Sequence, residues 1–492
     1  MTEHTLRLLR SAPRLAALAA FPFDFDLDRA AHGHVEPVRL ASGAELEVLA
    51  GDDTGGTYFR CADGAVLYAS SEGSAGLIGS TVDEALDILT GLPGWRDHLG
   101  LSPQDGEEAI RAAVTETEAD LRESYGIDDE RTELRTALGF PDRSPAELIG
   151  LLHAALLRTE PDHVLLNADE GLAYKLLDDH PRPPLWDAVL AAGRTDLAAV
   201  RAGDEEAWQA MADDPVRRRL ALRAAQFDRE DADLPVLLRL LPYEAESSMT
   251  EELRLTCVLV GLHGRAEDLP LLDAVRRTDF DTACGLSELP GPDADGGALR
   301  RWARELDEWM FGTDPSDEPV DTWIDLAMAQ GLTEYARVPL IRRLDEMMLD
   351  QSLLRDPRRP GKLDPHPLHS LASAFGRLGD MPQALRAQRL CTALQETAWD
   401  RVSALRDLAQ LERSAGHLES AAHTLSRLRA VLDAPGDYSL EWLYRVNLGR
   451  FVVREHEDLA RALAGDAGDA GHAALAAEVA CAADELRGRL TP

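Results

Sequence analysis

Lysine and asparagine are almost missing from this chain: among 492 residues, only Lys175 and Lys362 are lysines and only Asn167 and Asn447 are asparagines. Positive charge is therefore nearly all arginine, a bias that points to a GC-rich bacterial genome. It cannot be taken as arginine chosen for phosphate recognition. Aromatic residues are scarce as well, at 5%. A core poor in rings and rich in Ala and Leu suits closely approaching helices, because Ala admits a neighbouring backbone and both residues favour the helix. The five cysteines, Cys61, Cys257, Cys284, Cys391 and Cys481, include no CxxC pair, and their odd number leaves at least one unpaired. Reduced, mostly buried thiols of a cytoplasmic protein are expected. No apolar run has the length of a membrane-spanning helix. Arg7, Arg10 and Arg14 precede a short apolar run, Leu15 to Phe21, that acids follow at once, so the start reads as an amphipathic helix rather than a signal peptide.

What the chain has in excess is acid. With 88 Asp and Glu against 51 Lys and Arg, the formal net charge is -37. Such a field repels a phosphate backbone and an anionic membrane surface, which argues against nucleic acid and membranes as partners. A basic protein would be drawn in, although an acidic surface also serves solubility alone. The length and a hydrophobic share of 45% allow two to four structural units.

Between residues 35 and 80, short apolar runs at 46–50, 57–61 and 65–69 are separated by Asp52-Asp53-Thr54-Gly55-Gly56 and Ala62-Asp63-Gly64. This spacing predicts an antiparallel meander. Thr81-Val82-Asp83-Glu84 has the form of a capping box, and the helix behind it carries Val82, Ala85, Leu86 and Leu89 on one face, expected to cover the sheet. The succession "GDDTGGTYFRC", "GAVLYASSEG", "STVDEALDILTGL", with Tyr58, Tyr68 and Glu72, resembles the core of the SUKH superfamily. The resemblance implies a small α+β sheet with helices packed on one face. It also implies the role of many such domains, bacterial immunity against polymorphic toxins.

From about residue 105 helical periodicity dominates. "DLPVLLRLL" at 233–241 and "DLPLLDAVRR" at 268–277 recur at an offset of 35 and look like a degenerate HEAT-type pair, since proline is tolerated in a first helical turn. At 371–432, Ala372, Gly379 and Ala384 recur 37 residues later as Ala409, Gly416 and Ala421. This is similar to tetratricopeptide repeats, with small residues where paired helices touch and Gly at the turn. Segments 287–297, 312–319 and 354–367 have linker composition. The fold expected is a small α+β N-terminal domain (1–100) followed by mostly-α, solenoid-like helical-repeat domains at 101–355 (HEAT-like) and 356–492 (tetratricopeptide-like).

Chemistry is hard to find. The pairs His32/His34 and His366/His369 lack the further ligands of a metal site, and the glycine clusters lack the Lys of a P-loop. No G-x-S-x-G elbow occurs, and no catalytic residue, metal or cofactor is assigned. The residues offered for partner binding are Asp52, Asp53, Tyr58, Tyr68, Glu72 and Trp95, with Asp228, Glu230, Asp231 and Asp233 in the run "DREDAD". The acids at 204–206 are a further candidate surface. The eight tryptophans, Trp95, Trp186, Trp208, Trp302, Trp309, Trp323, Trp399 and Trp442, fall near element boundaries, mostly as core residues. The function expected is therefore protein binding, as an immunity protein neutralising a basic, nuclease-type toxin. A regulatory scaffold gripping a peptide at 371–432 is the alternative, and an enzyme using His366 or His369 with Asp364 a second one. The oligomeric state is not legible.

Overall fold

A computed structural model describes residues 4–350, 365–434, 448–465 and 470–490. It is 68% helix and 7% strand, with a small sheet near the N-terminus and helices after it. Asp364, Trp442 and most of the 354–367 linker lie outside the described residues.

The sheet forms where the turn chemistry allows. Strands β1 (Val38–Leu40), β2 (Leu46–Gly51), β3 (Thr57–Cys61), β4 (Val66–Ala69), β5 (Ser74–Gly79), β6 (Leu165–Asn167) and β7 (Lys175–Leu176) make two sheets. The larger has the order β2-β3-β4-β5-β7, antiparallel except for the parallel β5–β7 pair, and β1 pairs with β6 antiparallel. Gly55 and Gly64 take φ of 90° and 91° at the two tight turns, a backbone region that other residues resist.

Side chains alternate across β3 and β4, as a pleated strand requires. Tyr58, Val66 and Tyr68 face the helical side, where Ile88, Val114 and Leu152 join one core. Phe59, Cys61, Leu67 and Ala69 face the other side, against Leu40, Leu165 and Tyr174. Both faces of the sheet are therefore covered, not one. The helix Val82–Gly91 buries Val82, Ala85, Leu86 and Leu89 in the first core. Thr81 caps it by accepting from the Glu84 amide, whereas Glu84 reaches back to Ser80 N rather than to its own cap residue.

The chain separates into two compact units, one of residues 1–180 with 337–492 and one of 181–336. These differ from the boundaries expected at 100 and 355. The physical reason for the first difference is that β6 and β7 complete sheets begun before residue 80, and the helix Pro145–Leu157 packs on β5. In the first unit, Arg342 further bonds Glu160 and the Tyr174 carbonyl.

Also in the first unit, His366–Arg377 with Met381–Ala393, and Ala398–Ser414 with Leu418–Asp433, form successive helical hairpins. Ala372, Ala384, Ala409 and Ala421 are buried, and Gly379 and Gly416 take φ of 75° and 79° at equivalent turns. The second unit is a helical array around one core from Leu197 to Phe311. Its two Asp-Leu-Pro segments open the helices Leu234–Glu244 and Leu269–Arg276 with proline in the first turn. The stretches 287–297 and 312–319 are loops inside this unit rather than linkers between domains: Leu289 is in its core and Glu318 pairs with the buried Arg223.

Candidate functional site

The N-terminal candidates do come together, but inward. Asp52 ends the β2 run, and its buried carboxylate accepts from Gly56 N at 2.7 Å, Thr54 N at 2.9 Å and Tyr68 Oη at 2.7 Å. Arg96, in the turn Trp95–His98, pairs with Asp52 and reaches Asp24 at 2.7 Å. Asp24 sits at φ 55°, in the left-handed region that Asp tolerates better than most residues. The Tyr68 ring lies 5.0 Å from Tyr58 and 5.2 Å edge-on from Trp95.

Burial drives the Asp52 carboxyl upward, but the hydrogen bonds from Tyr68, Gly56 and Thr54, with the Arg96 charge, outweigh it and hold the group below its ordinary value. Asp24 goes the other way, because desolvation exceeds the pull of Arg96. The cluster therefore ties the sheet to the turn Trp95–His98. As surface contacts for a partner, Asp52, Tyr58, Tyr68 and Trp95 are corrected: all four are buried. Asp53 and Glu72 remain exposed, on two turns joined where Ser71 Oγ donates to the Thr54 carbonyl.

The acidic run in the second unit is corrected in part: Asp233 is buried and Asp228 half-buried, whereas Glu230 is exposed, although it is paired. Asp228 accepts from Arg194 at 2.8 Å, Glu230 from Arg201 at 2.6 Å, and Asp233 from Arg201 at 2.7 Å. Asp233 is itself buried, and the Glu230 amide donates to it. These acids fasten the helix Leu185–Arg201 to the turn before Leu234. Asp231 is exposed. At 204–206, Asp204 caps the helix Glu205–Asp213 and Glu205 pairs with Arg239. The sequence shows the acids clearly; their arginine partners lie about 30 residues away and carry no local signal.

His34, one of the dismissed histidines, belongs to a chain of hydrogen bonds. Its Nδ1 is 3.0 Å from Thr57 Oγ1 and its Nε2 is 3.0 Å from Tyr174 Oη, while Tyr174 Oη donates to Glu36 and Asn167 Nδ2 donates to Glu36 at 2.8 Å. One proton arrangement satisfies all of them: Thr57 donates to His34, His34 to Tyr174, and Tyr174 to Glu36. Burial lowers the pKa of His34 despite Glu36, which suits a neutral ring. Thr57 is only 2% exposed, so no substrate reaches its hydroxyl. Among the other histidines, His369 Nδ1 lies 3.8 Å from Asp407.

An open, largely apolar surface lies in the first unit, where the loop 168–171 meets the helix Met381–Ala393. A groove of about 800 Å3 is lined by Met348, Met381, Pro382, Leu385 and Leu390, and by Arg389, His417, Asp169 and Glu170. Its wall is fixed by polar bonds, because Gln383 Nε2 and Arg386 Nη1 donate to the Gly171 carbonyl at 2.7 and 2.9 Å. Arg386 also pairs with Asp345, whose carboxylate accepts from Ala173 N. The second helix of the hairpin, not the first, lines this groove. Among the described residues no helix is long and apolar enough to cross a membrane. No family model, curated protein or solved structure matches the chain.

Proposed function

We propose that this chain is a non-catalytic protein-binding module that holds a short amphipathic segment of a partner in the groove beside Met381–Ala393. The observation that carries the proposal is the make-up of that groove: the apolar side chains of Met348, Met381, Leu385 and Leu390 share its lining with Arg39, Arg386 and Arg389 and with the acids Asp169 and Glu170. Its volume falls in the range of clefts that enclose a ligand, and a lining of mixed charge favours a segment carrying both signs of charge. The hairpins 366–433 then act as tetratricopeptide-like repeats and the pairs of the second unit as HEAT-like ones. Both supply rigid helices for such a surface.

The net charge of -37 favours a partner that is basic overall, steered in by the long-range field. Together with the strand–helix order of 46–91, it supports a second reading, toxin immunity in a bacterial cytoplasm. The partner is then a basic toxin, most simply a nuclease, whose site the chain occludes.

The test is co-expression of the full chain with proteins encoded beside its gene, followed by calorimetric titration of any that co-purify. Leu390→Glu should weaken binding at least tenfold with an unchanged melting temperature, because it removes the burial of one leucine, about 1.5–3 kcal/mol. Equal affinity of this variant and the wild type refutes the groove. Rescue of growth against a neighbouring toxin supports immunity, whereas a kinase or sigma-type regulator as the binding neighbour supports a scaffold.

A further inference from the structure

Cys61, Asp63 and His163 meet although 100 residues of chain separate the last two. Cys61 closes β3, Asp63 occupies the turn that follows, and His163 lies in the loop after Pro145–Leu157. A ligand atom of each lies within 4.8 Å of the other two, the one such trio of mixed donors among the described residues.

The donors are held in orientation. Ala65 N donates to Asp63 Oδ1 at 3.1 Å, and Asp63 Oδ2 lies 3.2 Å from His163 Nε2. His163 Nδ1 is 3.4 Å from the Arg158 carbonyl, which can only accept. Both ring nitrogens therefore face acceptors, and a neutral ring has one proton to offer. A metal ion beside Nε2, held with the Asp63 carboxylate and the adjacent Cys61 sulfur, fills the other contact. Thiolate, imidazole and carboxylate together are a donor set for zinc, and a histidine whose other nitrogen donates to a backbone carbonyl is held as metal-ligating histidines are held.

We infer that Cys61, Asp63 and His163 form a binding site for a zinc-type divalent cation, with its remaining position open to solvent. Cys61 and Asp63 also line a groove of about 410 Å3, together with Glu45, Glu47 and Arg60. A tetrahedral zinc site places neighbouring donors roughly 3.6 Å apart, from bonds of about 2.0–2.3 Å, so the trio has to close slightly. Asp63 can supply the movement, because its side chain is 46% exposed. Burial and the Asp63 charge push the Cys61 thiol up to about 12, so the metal-free sulfur keeps its proton. Binding therefore displaces that proton to the buffer as the Zn–S bond forms. Arg158, 3.8 Å from Asp63 and bonded to Ser80, competes only as a distant ion pair.

The test is titration of the full chain with cobalt(II) chloride, followed by competition with zinc chloride. The C284S/C481S double variant serves as background, since these two thiols are exposed. One equivalent should bind, with a thiolate-to-cobalt charge-transfer band that zinc abolishes. C61S should remove the band, and D63N should weaken binding at least tenfold while circular dichroism stays unchanged. The inference is overturned if the double variant shows no band, if the band survives C61S, or, where C61S does not fold, if D63N binds as tightly as the background.

Discussion

Replacing Asp52 by Ala should cost about 3 kcal/mol, and the structure shows why. The carboxylate is the counter-charge of Arg96 and the acceptor of Gly56 N, Thr54 N, Thr54 Oγ1 and the Tyr68 hydroxyl. Breaking a buried ion pair by removing one partner costs roughly 3–5 kcal/mol, and an orphaned buried donor such as Gly56 N about 1–3 kcal/mol. Two features reduce the sum. Arg96 keeps Asp24, and its side chain is 31% exposed, so water screens part of the loss.

Urea unfolding of the full chain, followed by tryptophan fluorescence, should show the first unit melting about 1 M earlier in D52A. Acid adds a second readout. Because the folded pKa of Asp52 is depressed, its contribution is complete above the unfolded value and is lost as pH falls through the folded one. The stability gap between wild type and D52N should therefore hold at neutral pH and shrink below about pH 4. A D52A cost under about 1 kcal/mol, or a gap that stays constant down to pH 2, refutes the assignment of this cluster as the tie between sheet and turn.

Three further outcomes follow from the packing. Gly193→Ala should destabilise the second unit by about 1–3 kcal/mol in calorimetry, although Ala is the better helix former by about 1 kcal/mol. Its Cβ would lie 2.4 Å from the Leu220 carbonyl oxygen, and a backbone atom cannot turn aside. Asp233→Asn should cost about 3 kcal/mol in urea unfolding because it strips Arg201 of a buried partner, whereas Asp231→Asn should stay within about 0.5 kcal/mol. Tyr68→Phe should cost about 1.5–3 kcal/mol in the same assay, the worth of one hydrogen bond to a charged group.

Local chemistry made the hairpins legible. Asp-Gly and Gly-Gly turns exposed the β2–β3–β4 meander, and Ala372, Gly379 and Ala384 with their counterparts 37 residues on exposed the helical pairs. Strand β5 escaped because Ser74, Ala75 and Gly76 carry little strand preference; Gly76 is small since a Cβ there would press on Leu177. Strands β6 and β7 are three and two residues long and pair with segments roughly 130 and 100 residues earlier, beyond the reach of any periodicity.

Asp52, Tyr58, Tyr68 and Trp95 were picked out together because polar and aromatic residues stand out in such a segment. Sequence does not show that Arg96 neutralises Asp52, and without that partner an acid between two turns reads as surface. The same blindness made the paired Asp228 and the buried Asp233 look like part of an open acidic face. It also hid Cys61, Asp63 and His163, which share no spacing pattern.

Amide hydrogen exchange of the full chain, with and without a co-purifying partner, tests the proposed binding function most directly. Slowed exchange at 168–171, 381–390 and 414–417 is the predicted footprint, because these segments wall the groove. Protection confined to 228–233 in the second unit, with the groove segments exchanging as in the free chain, would contradict the account.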